Sequence, residues 1–154
     1  MAEETTLWIS GQLVEKIRAH GAETYPHECC GALLGRDRVA SPREASREVL
    51  ALFPLVNRHD ESPRNRFIVT AEDVLKADKG AQAQGLEVIG WYHSHPDHPA
   101  RPSQFDQDHA WPWYSYMIVS VHHGAPQDMT SWRLNDDRHA FSPEGIEIRH
   151  RARV

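Results

Sequence analysis

Cysteine is scarce in this sequence, and its two cysteines, Cys29 and Cys30, are adjacent. Neighbouring cysteines cannot build a disulfide framework, and they lack the C-x-x-C spacing of a metal-binding knuckle. We therefore interpret both as small residues buried in a strand. A catalytic thiol is the weaker alternative, because the neighbouring carboxylate of Glu28 disfavours the thiolate form.

Long apolar runs and an excess of basic residues are also missing. No segment approaches the roughly 20 apolar residues of a membrane-spanning helix. The first segment, MAEETTLW, lacks the basic and then apolar order of a signal peptide, so we expect a cytoplasmic protein that does not enter a membrane. The formal net charge is -5, which gives no reason to expect binding to nucleic acid.

Capping residues and apolar periodicity predict three helices. Ser10 is expected to cap a first helix that ends near Gly21. A capping-box pattern begins at Thr70 and predicts a second helix, which Gly85 ends. A short third helix is predicted over residues 103–110.

Strands are predicted between these helices and after them. The polar segments 36–46 and 58–66 are predicted to be loops, and Pro54 marks a kink or a sheet edge. The order of elements predicts an α/β or α+β fold, a mixed central sheet flanked by helices, in a single domain over residues 1–154. The predicted strands are 7–9, 29–35, 47–57, 67–70, 86–95, 114–123, 129–135 and 145–154.

The most informative stretch is GWYHSHPDHPARPSQFDQDHA, residues 90–110. Side chains alternate along a strand, so His93 and His95 point to the same face and can occupy two corners of a metal site. Asp106 offers an oxygen as a third ligand, and Ser103 shares its face of the predicted helix. Three ligands leave a fourth position open, which is typical of catalytic zinc, although iron and manganese accept the same set.

Specificity comes from the whole pattern and not from its parts. The chain has 11 histidines, so a His-x-His pair alone means little. The addition of Pro96, Ser103 and Asp106 at fixed offsets makes a chance match rare. Rival patterns are incomplete, because HECCG at 27–31 lacks the second histidine of a zincin and the P-C-x-x-C of zinc deaminases is missing.

A hydrolytic metal site also needs a general base, and the candidate is Glu28. From its spacing alone, a solvated surface carboxylate is the better interpretation of this residue.

Four side chains near the motif are also open to two interpretations. His98 and His109 would either line the cleft and support the ligands or stay solvated, and Trp111 and Trp113 would form a substrate wall or pack in the core.

Three segments together resemble the JAMM (MPN+) zinc metallopeptidases: YPHECCGALLG, RFIVTAEDVLKA and residues 90–110. The resemblance is closest to the short bacterial branch that includes the CysO-cysteine hydrolase, and it extends from the first helix to about Trp132. It implies the JAMM/MPN architecture, which is cytidine-deaminase-like. It also implies that one zinc ion per chain and a water are held by three ligands, which are His93, His95 and Asp106.

The same resemblance implies roles for two further residues. Glu28 would take a proton from the water and pass it to the leaving nitrogen. Ser103 would donate a hydrogen bond to the developing oxyanion.

The expected substrate is a small ubiquitin-like sulfur-carrier protein that ends in Gly-Gly. Larger deubiquitinases of this family carry a long insertion after the zinc-binding helix, whereas only residues 111–113 separate that helix from the next strand here. The resemblance implies trimming of the carrier, release of cysteine or removal of the carrier from a protein lysine. Segments 36–46 and 58–66 contain several arginines and are either carrier contacts or solvated loops. A homo-oligomer is compatible with these features.

Two alternatives to carrier cleavage are retained. One is a general zinc peptidase or amidase that acts on small peptides. It is disfavoured because nothing in the sequence suggests a deep pocket for a small molecule. The other is a non-catalytic MPN scaffold, which is disfavoured because this chain carries the complete set of metal ligands.

Overall fold

Seven strands and three helices make up the part of the chain that the computed structural model describes, which is residues 4–41, 44–56 and 69–149. The helices are α1 (Gly11–Thr24), α2 (Ala71–Ala83) and α3 (Gln104–His109). The strands are β1 (Glu4–Ser10), β2 (Cys30–Ser41), β3 (Glu44–Leu55), β4 (Glu87–Pro96), β5 (Ser115–His122), β6 (Ala125–Leu134) and β7 (Phe141–Arg149).

The strands close into a barrel in the order β1-β3-β2-β4-β5-β6-β7. Strand β1 runs parallel to both β3 and β7, and β4 runs parallel to β5, whereas the other neighbouring strands are antiparallel. The prediction of a mixed sheet with helices packed on it is confirmed. Closure of the sheet was not predicted, because it depends on pairing between β1 and β7, which are far apart in the chain.

Local capping explains where the helices begin. The Ser10 side chain accepts a hydrogen bond from the Leu13 N–H over 3.2 Å at the start of α1. At the start of α2, Thr70 and Asp73 satisfy each other's backbone N–H groups, each over 3.1 Å. After α2, Gly85 adopts a φ of +69°, a conformation in which glycine is unstrained.

Helix α1 continues through Gly21 to Thr24, so the predicted end of this helix is wrong. Gly21 serves packing instead, because a Cβ at this position would lie 3.0 Å from Val121 Cγ2 and 3.4 Å from Ser94 Cβ. The helix ends just before Pro26, since a residue that precedes proline avoids the helical region.

Residues 36–46 were predicted to form a loop, and this prediction is wrong. Residues 36–41 lie in β2 and residues 44–46 lie in β3, and these strands pair antiparallel, whereas residues 42 and 43 lie outside the described part of the chain. Beside this strand pair, the buried Arg47 donates from Nε to Asp37 over 3.1 Å and from Nη1 to the Ile89 carbonyl and to Ser115, each over 3.0 Å. Because residues 36–46 are mostly polar, the sequence contains no alternation of apolar and polar residues that would reveal these strands.

The predicted loop 58–66 and residues 67–68 of the predicted strand 67–70 lie outside the described residues. Val69 and Thr70 lead into α2 without forming a strand. The other predicted strands each coincide with part of an observed one. Pro54 pairs with β2 beyond the part of β3 that pairs with β1, where its missing N–H is tolerated.

Two hydrophobic clusters pack the helices on the barrel, one against α1 and the other against α2. Strand β4 contributes to both, with Ile89 and Tyr92 on the α1 side and Val88 and Trp91 on the α2 side. Both faces of β4 are therefore buried, and its end carries the candidate site. In the described ranges, none of the helices combines the length and apolar character that crossing a membrane requires.

Candidate metal centre and active site

Strand β4 brings two imidazoles to one point. His93 and His95 are buried, and their Nε2 atoms lie 3.1 Å apart. The strand is paired with β2 on one side, where His93 lies opposite Cys30, and with β5 on the other. Because hydrogen bonds hold this backbone on both sides, the two side chains are positioned by a rigid element.

Helix α3 supplies the carboxylate. Its first turn is a capping box in which Ser103 Oγ accepts from the Asp106 N–H over 3.1 Å and the Asp106 carboxylate accepts from the Ser103 N–H over 2.8 Å. The same carboxylate approaches the Nε2 of His93 at 3.3 Å and that of His95 at 3.1 Å. The cap therefore orients Asp106 toward both imidazoles.

These three side chains fit a metal ion. Their ligand atoms all lie within 4.8 Å of one another. The separations of 3.1 to 3.3 Å are close to the edge, about 3.3 Å, of a tetrahedron built on zinc–ligand bonds of about 2.0–2.1 Å. His95 Nδ1 donates to the Pro99 carbonyl over 2.9 Å, so its Nε2 presents a lone pair to the centre, as metal-binding histidines do.

Electrostatics favour the protonation states that a metal requires. Burial lowers the pKa of His93, which favours the neutral imidazole. Burial would raise the pKa of Asp106, but the adjacent His93 and His95 outweigh burial and hold this pKa well below its usual range. Two neutral imidazoles and one carboxylate are the ionisation states in which these residues bind metal.

Glu28 is buried beside this centre, with 2% of its surface exposed. Its neighbour Cys29 donates its N–H to Ser94 Oγ over 2.8 Å, and the Ser94 N–H donates to the Cys29 carbonyl over 3.2 Å. Ser94 lies between His93 and His95, so these two bonds tie the Glu28 segment to the ligand strand. The interpretation of Glu28 as a solvated surface carboxylate is wrong.

Burial, and secondarily the charge of Asp106, raises the pKa of Glu28 to about 9. A carboxyl group with this pKa is protonated at neutral pH until a nearby positive charge stabilises its ionised form. The group is thus well placed to exchange a proton with whatever occupies the centre. Sequence analysis did not single out Ser94, whose only signal was its place between the two histidines.

The structure places the four side chains near the motif for which the sequence allowed either a role at the site or an ordinary structural role. His98 is exposed, as a solvated loop residue would be. His109 donates from Nδ1 to the Phe105 carbonyl over 2.9 Å and stacks on the Phe105 ring at 4.1 Å, while its ring faces a cavity. Trp111 lines the same cavity. Trp113 covers the guanidinium of Arg47, with 4.2 Å between the guanidinium carbon and the ring centroid.

This cavity has a volume of about 570 Å³ and opens beside the metal-binding side chains. A pocket was not predicted from the sequence, and this cavity was therefore not anticipated. The signal in the sequence was the aromatic run WPWYSY after the ligand helix, together with a late phenylalanine. Its aromatic walls are Trp91, Trp111, Tyr114, Tyr116 and Phe141, and its floor includes His93 and Asp106.

Cys29 and Cys30 are both buried and form no disulfide. Burial raises the pKa of each thiol to about 12. A thiolate is therefore disfavoured at neutral pH, which supports the interpretation of both residues as buried residues and argues against a catalytic thiol.

A second group of potential ligands lies at the surface. Asp97, His122 and His123 bring ligand atoms within 4.8 Å of one another. Both histidines are exposed, and the Asp97 carboxylate already accepts hydrogen bonds from the Tyr25 hydroxyl over 2.6 Å and the His123 N–H over 2.8 Å. The buried centre is the better candidate, because its ligands are more rigidly held.

Comparison with protein families matches residues 10–135 to the prokaryotic homologues of the JAB domain. The matched span contains every candidate site residue. A Thermus thermophilus protein described as a probable TtuB-protein conjugate cleaving protease is 36% identical over 100 residues, which are 65% of this chain and 60% of that protein. This chain thus corresponds to less than two thirds of the Thermus relative. A Haloferax volcanii desampylase is 31% identical over 109 residues, 70% of this chain and 73% of the relative.

Solved structures share the fold. A solution structure from Desulfitobacterium hafniense has a TM-score of 0.79 at 31% identity and covers 94% of both chains. One from Salinibacter ruber has a TM-score of 0.69 at 46% identity, over 92% of this chain and 90% of the other. A JAB1/MPN domain protein from Archaeoglobus fulgidus, at 19% identity, has a TM-score of 0.56 over 92% of this chain and 98% of that one, which shows a likeness of fold alone.

Proposed function

We propose that this chain, which belongs to the family of prokaryotic homologues of the JAB domain, is a zinc-dependent isopeptidase. It would cut the bond that joins a ubiquitin-like protein to another group. The observation that carries this proposal is the convergence of His93, His95 and Asp106 on one point beside the buried carboxyl of Glu28. The descriptions of the two relatives, one a conjugate-cleaving protease and the other a desampylase, support the same class of reaction.

In this proposal His93, His95 and Asp106 hold one zinc ion per chain. When bound, zinc supplies Lewis acidity, which polarises a carbonyl group and makes water more acidic. The three side chains also orient the site, because strand β4 and the capped first turn of α3 hold them in place. The strand–helix arrangement leaves one side of the centre facing the cavity.

Glu28 acts as the proton carrier in this proposal. It takes a proton from the attacking water and delivers it to the leaving nitrogen, as a general base and then a general acid do. Its burial shields this carboxyl group from bulk solvent. The hydrogen bonds between Cys29 and Ser94 hold it at the level of the ligand histidines.

Ser103 stabilises the developing oxyanion. Its hydroxyl oxygen accepts from the Asp106 N–H, which leaves the hydroxyl hydrogen available for donation. The side chain is exposed at the first turn of α3, on the side of the ligand carboxylate. A hydrogen-bond donor in this position is worth roughly 10²- to 10³-fold in turnover.

The substrate in this proposal is a ubiquitin-like sulfur carrier, cut directly after its C-terminal Gly-Gly. An extended tail enters a cleft as an added strand, and glycine lets its backbone approach the site closely. Only residues 110–114 separate α3 from β5, so the described chain offers little structure there to read a second ubiquitin-like protein.

The test is incubation of the purified, zinc-loaded chain with a carrier extended beyond Gly-Gly, followed by mass spectrometry. We expect a product that ends on the second glycine, and we expect replacement of that glycine by isoleucine to prevent cleavage. The Glu28→Gln variant is the control for a contaminating protease.

A general zinc peptidase remains the second candidate, because the 570 Å³ cavity could also accept a small substrate. Efficient cleavage of unrelated short peptides, with extended carriers left intact, would favour it over the carrier proposal. The single domain over residues 1–154, the cytidine-deaminase-like architecture and a homo-oligomeric state stay predictions.

A further inference from the structure

The cavity beside the metal centre has one reactive end and an apolar body. His93 and Asp106 form the reactive end. The body is built from aromatic and aliphatic side chains of α2, β4, β5, β7 and the segment after α3. A pocket of this composition binds apolar groups and disfavours charged ones, whose hydration it cannot replace.

Polar groups in the walls are already engaged in bonds within the protein. The Tyr116 hydroxyl accepts from the Trp111 N–H over 2.8 Å. The His109 Nδ1 donates to the Phe105 carbonyl over 2.9 Å. The Trp91 and Tyr114 rings pack edge to face, with centroids 5.7 Å apart. The walls are therefore organised by their own contacts before any ligand enters.

The mouth of the cavity is formed by a large exposed indole. Trp111 is 64% exposed although it follows directly on a buried residue. Arg138 braces this wall, because its Nη2 donates to the Ala110 carbonyl over 2.9 Å and its guanidinium lies 5.5 Å from the Trp111 ring centroid. Gln107 in turn donates to the Arg138 carbonyl over 3.2 Å. An aromatic side chain held in place yet open to solvent is suited to cover a ligand.

We propose that this cavity is a specificity pocket that receives a bulky apolar side chain of the substrate, on the amine side of the scissile bond. This inference rests on the proposed function. A volume of about 570 Å³ falls in the range of roughly 300–1,000 Å³ that encloses small ligands. Two glycines on the acyl side have no side chains to fill it, so the residue that leaves with the amine fills it instead.

The pocket thus selects among the extensions that can follow Gly-Gly. A phenylalanine or leucine directly after the glycines is preferred, because its side chain buries apolar surface against Trp111 and Trp91. An aspartate at the same position is disfavoured, since its carboxylate would lose water next to the charge of Asp106.

Short acetylated peptides of the form Ala-Ala-Gly-Gly-X test this directly, with X as phenylalanine, leucine, alanine or aspartate. For the zinc-loaded chain we expect kcat/KM for phenylalanine and leucine to exceed that for alanine by on the order of 10- to 100-fold. Calorimetric titration of the Glu28→Gln variant measures binding without cleavage, and the same order of affinities is expected there.

Two variants and one matched control locate the effect. Val74→Phe places a ring in the cavity from α2, and Trp111→Ala removes the wall at its mouth. In each variant we expect the ratio of kcat/KM for the phenylalanine peptide to that for the alanine peptide to fall to about 3-fold or less. The reason is that the apolar contacts of this pocket account for the preference. Trp113→Ala removes the neighbouring tryptophan, which covers Arg47 instead of the cavity, and should keep the wild-type preference.

Equal cleavage of all X peptides would overturn the pocket and leave the proposed hydrolysis standing. Tight binding of the phenylalanine peptide, with both the peptide and the extended carrier left uncut, would support the pocket and reject the proposed hydrolysis. A preference that follows the residue before Gly-Gly, measured with peptides of the form Y-Gly-Gly-Ala, would overturn the assignment to the amine side. If no peptide is bound or cut, the pocket is rejected, and cleavage of the extended carrier decides separately whether the proposed hydrolysis stands.

Discussion

At the scale of single residues, burial has different consequences for a carboxyl group that takes part in the proposed reaction and for a thiol that does not. Glu28 and Cys29 are adjacent and both buried, yet their environments point to different roles. Burial raises the pKa of the Cys29 thiol to about 12, which keeps it inert. Burial raises the pKa of Glu28 to about 9, which makes a normally acidic group able to hold a proton near neutral pH.

The proton-carrier role predicts the effect of Glu28→Gln. The amide keeps the shape of the side chain but cannot exchange a proton, so turnover should fall by roughly 10²-fold or more. Zinc content should be unchanged, since the three ligands are intact. Steady-state kinetics with elemental analysis of the same sample measures both. Glu72→Gln, at an exposed position of α2, is the matched control and should leave turnover at the wild-type level.

The raised pKa of Glu28 also predicts how the stability of the metal-free protein depends on pH. Between about 4.3, the ordinary value, and about 9, the folded state holds a proton that the unfolded state has lost. The contribution of protonated Glu28 to the free energy of unfolding is therefore fully present at low pH. It is lost as the pH rises toward 9. Thermal unfolding of chelator-treated protein should show Tm falling over this range more steeply in the wild type than in Glu28→Gln. If the Tm of the wild type and the Tm of Glu28→Gln fell equally with rising pH, the raised pKa of Glu28 would be contradicted.

At the scale of elements, α3 combines a structural cap with a chemical site. It has only one turn and a half, and its N-terminal capping box uses Ser103 and Asp106, which are also the proposed oxyanion donor and metal ligand. The cap holds the carboxylate in place before a metal arrives. A change at Ser103 therefore affects both the helix and the reaction, and the two effects must be separated.

A comparison of two caps separates them. Ser103→Ala should lower turnover by on the order of 10²-fold, because the oxyanion loses its donor, and should cost about 1 kcal/mol of stability, because α3 loses its cap. Ser10→Ala removes the equivalent cap from α1, and should cost similar stability without changing turnover. Ser103→Thr keeps a hydroxyl and should restore most of the activity. A rise in KM at constant kcat for Ser103→Ala would assign the residue to substrate binding instead.

At the scale of the whole molecule, the candidate ligands of the proposed metal centre come from two elements. Strand β4 is held between β2 and β5, and α3 carries the third ligand across from it. A metal that bridges these elements binds the folded state alone, so it stabilises the protein by mass action.

Metal removal should therefore lower Tm. At a zinc concentration of about 1,000 times Kd, the stabilisation is about 4 kcal/mol, so saturating zinc should restore several degrees to the chelated protein. His93→Ala and Asp106→Ala should abolish this response, and both variants should also lose the zinc that we expect elemental analysis of the wild type to find, at about one ion per chain. His98→Ala, at an exposed neighbouring position, should keep both. A chelated wild type that shows no response to zinc would reject the metal centre.

Features that depend on near neighbours could be predicted from the sequence alone. The caps at Ser10 and Thr70 each join residues three positions apart, and both helices begin where predicted. Alternation in a strand was enough to predict that His93 and His95 share a face, and helical spacing was enough to place Ser103 beside Asp106. The mixed sheet with packed helices followed from the order of the elements.

Features that join distant segments were decided by the tertiary structure. Glu28 reaches the centre because Cys29 bonds to Ser94, 65 positions away in the chain, and nothing in its local sequence distinguishes it from a surface carboxylate. Residues 36–41 and 44–46 are strands because β2 and β3 pair along this length, and Arg47 beside them donates to Ile89 and Ser115, which are remote in the chain. The cavity exists only where α2, β4, β5 and β7 meet. A short sequence pattern records contacts between neighbouring residues, whereas burial, closure of a barrel and empty space depend on which remote segments pack together.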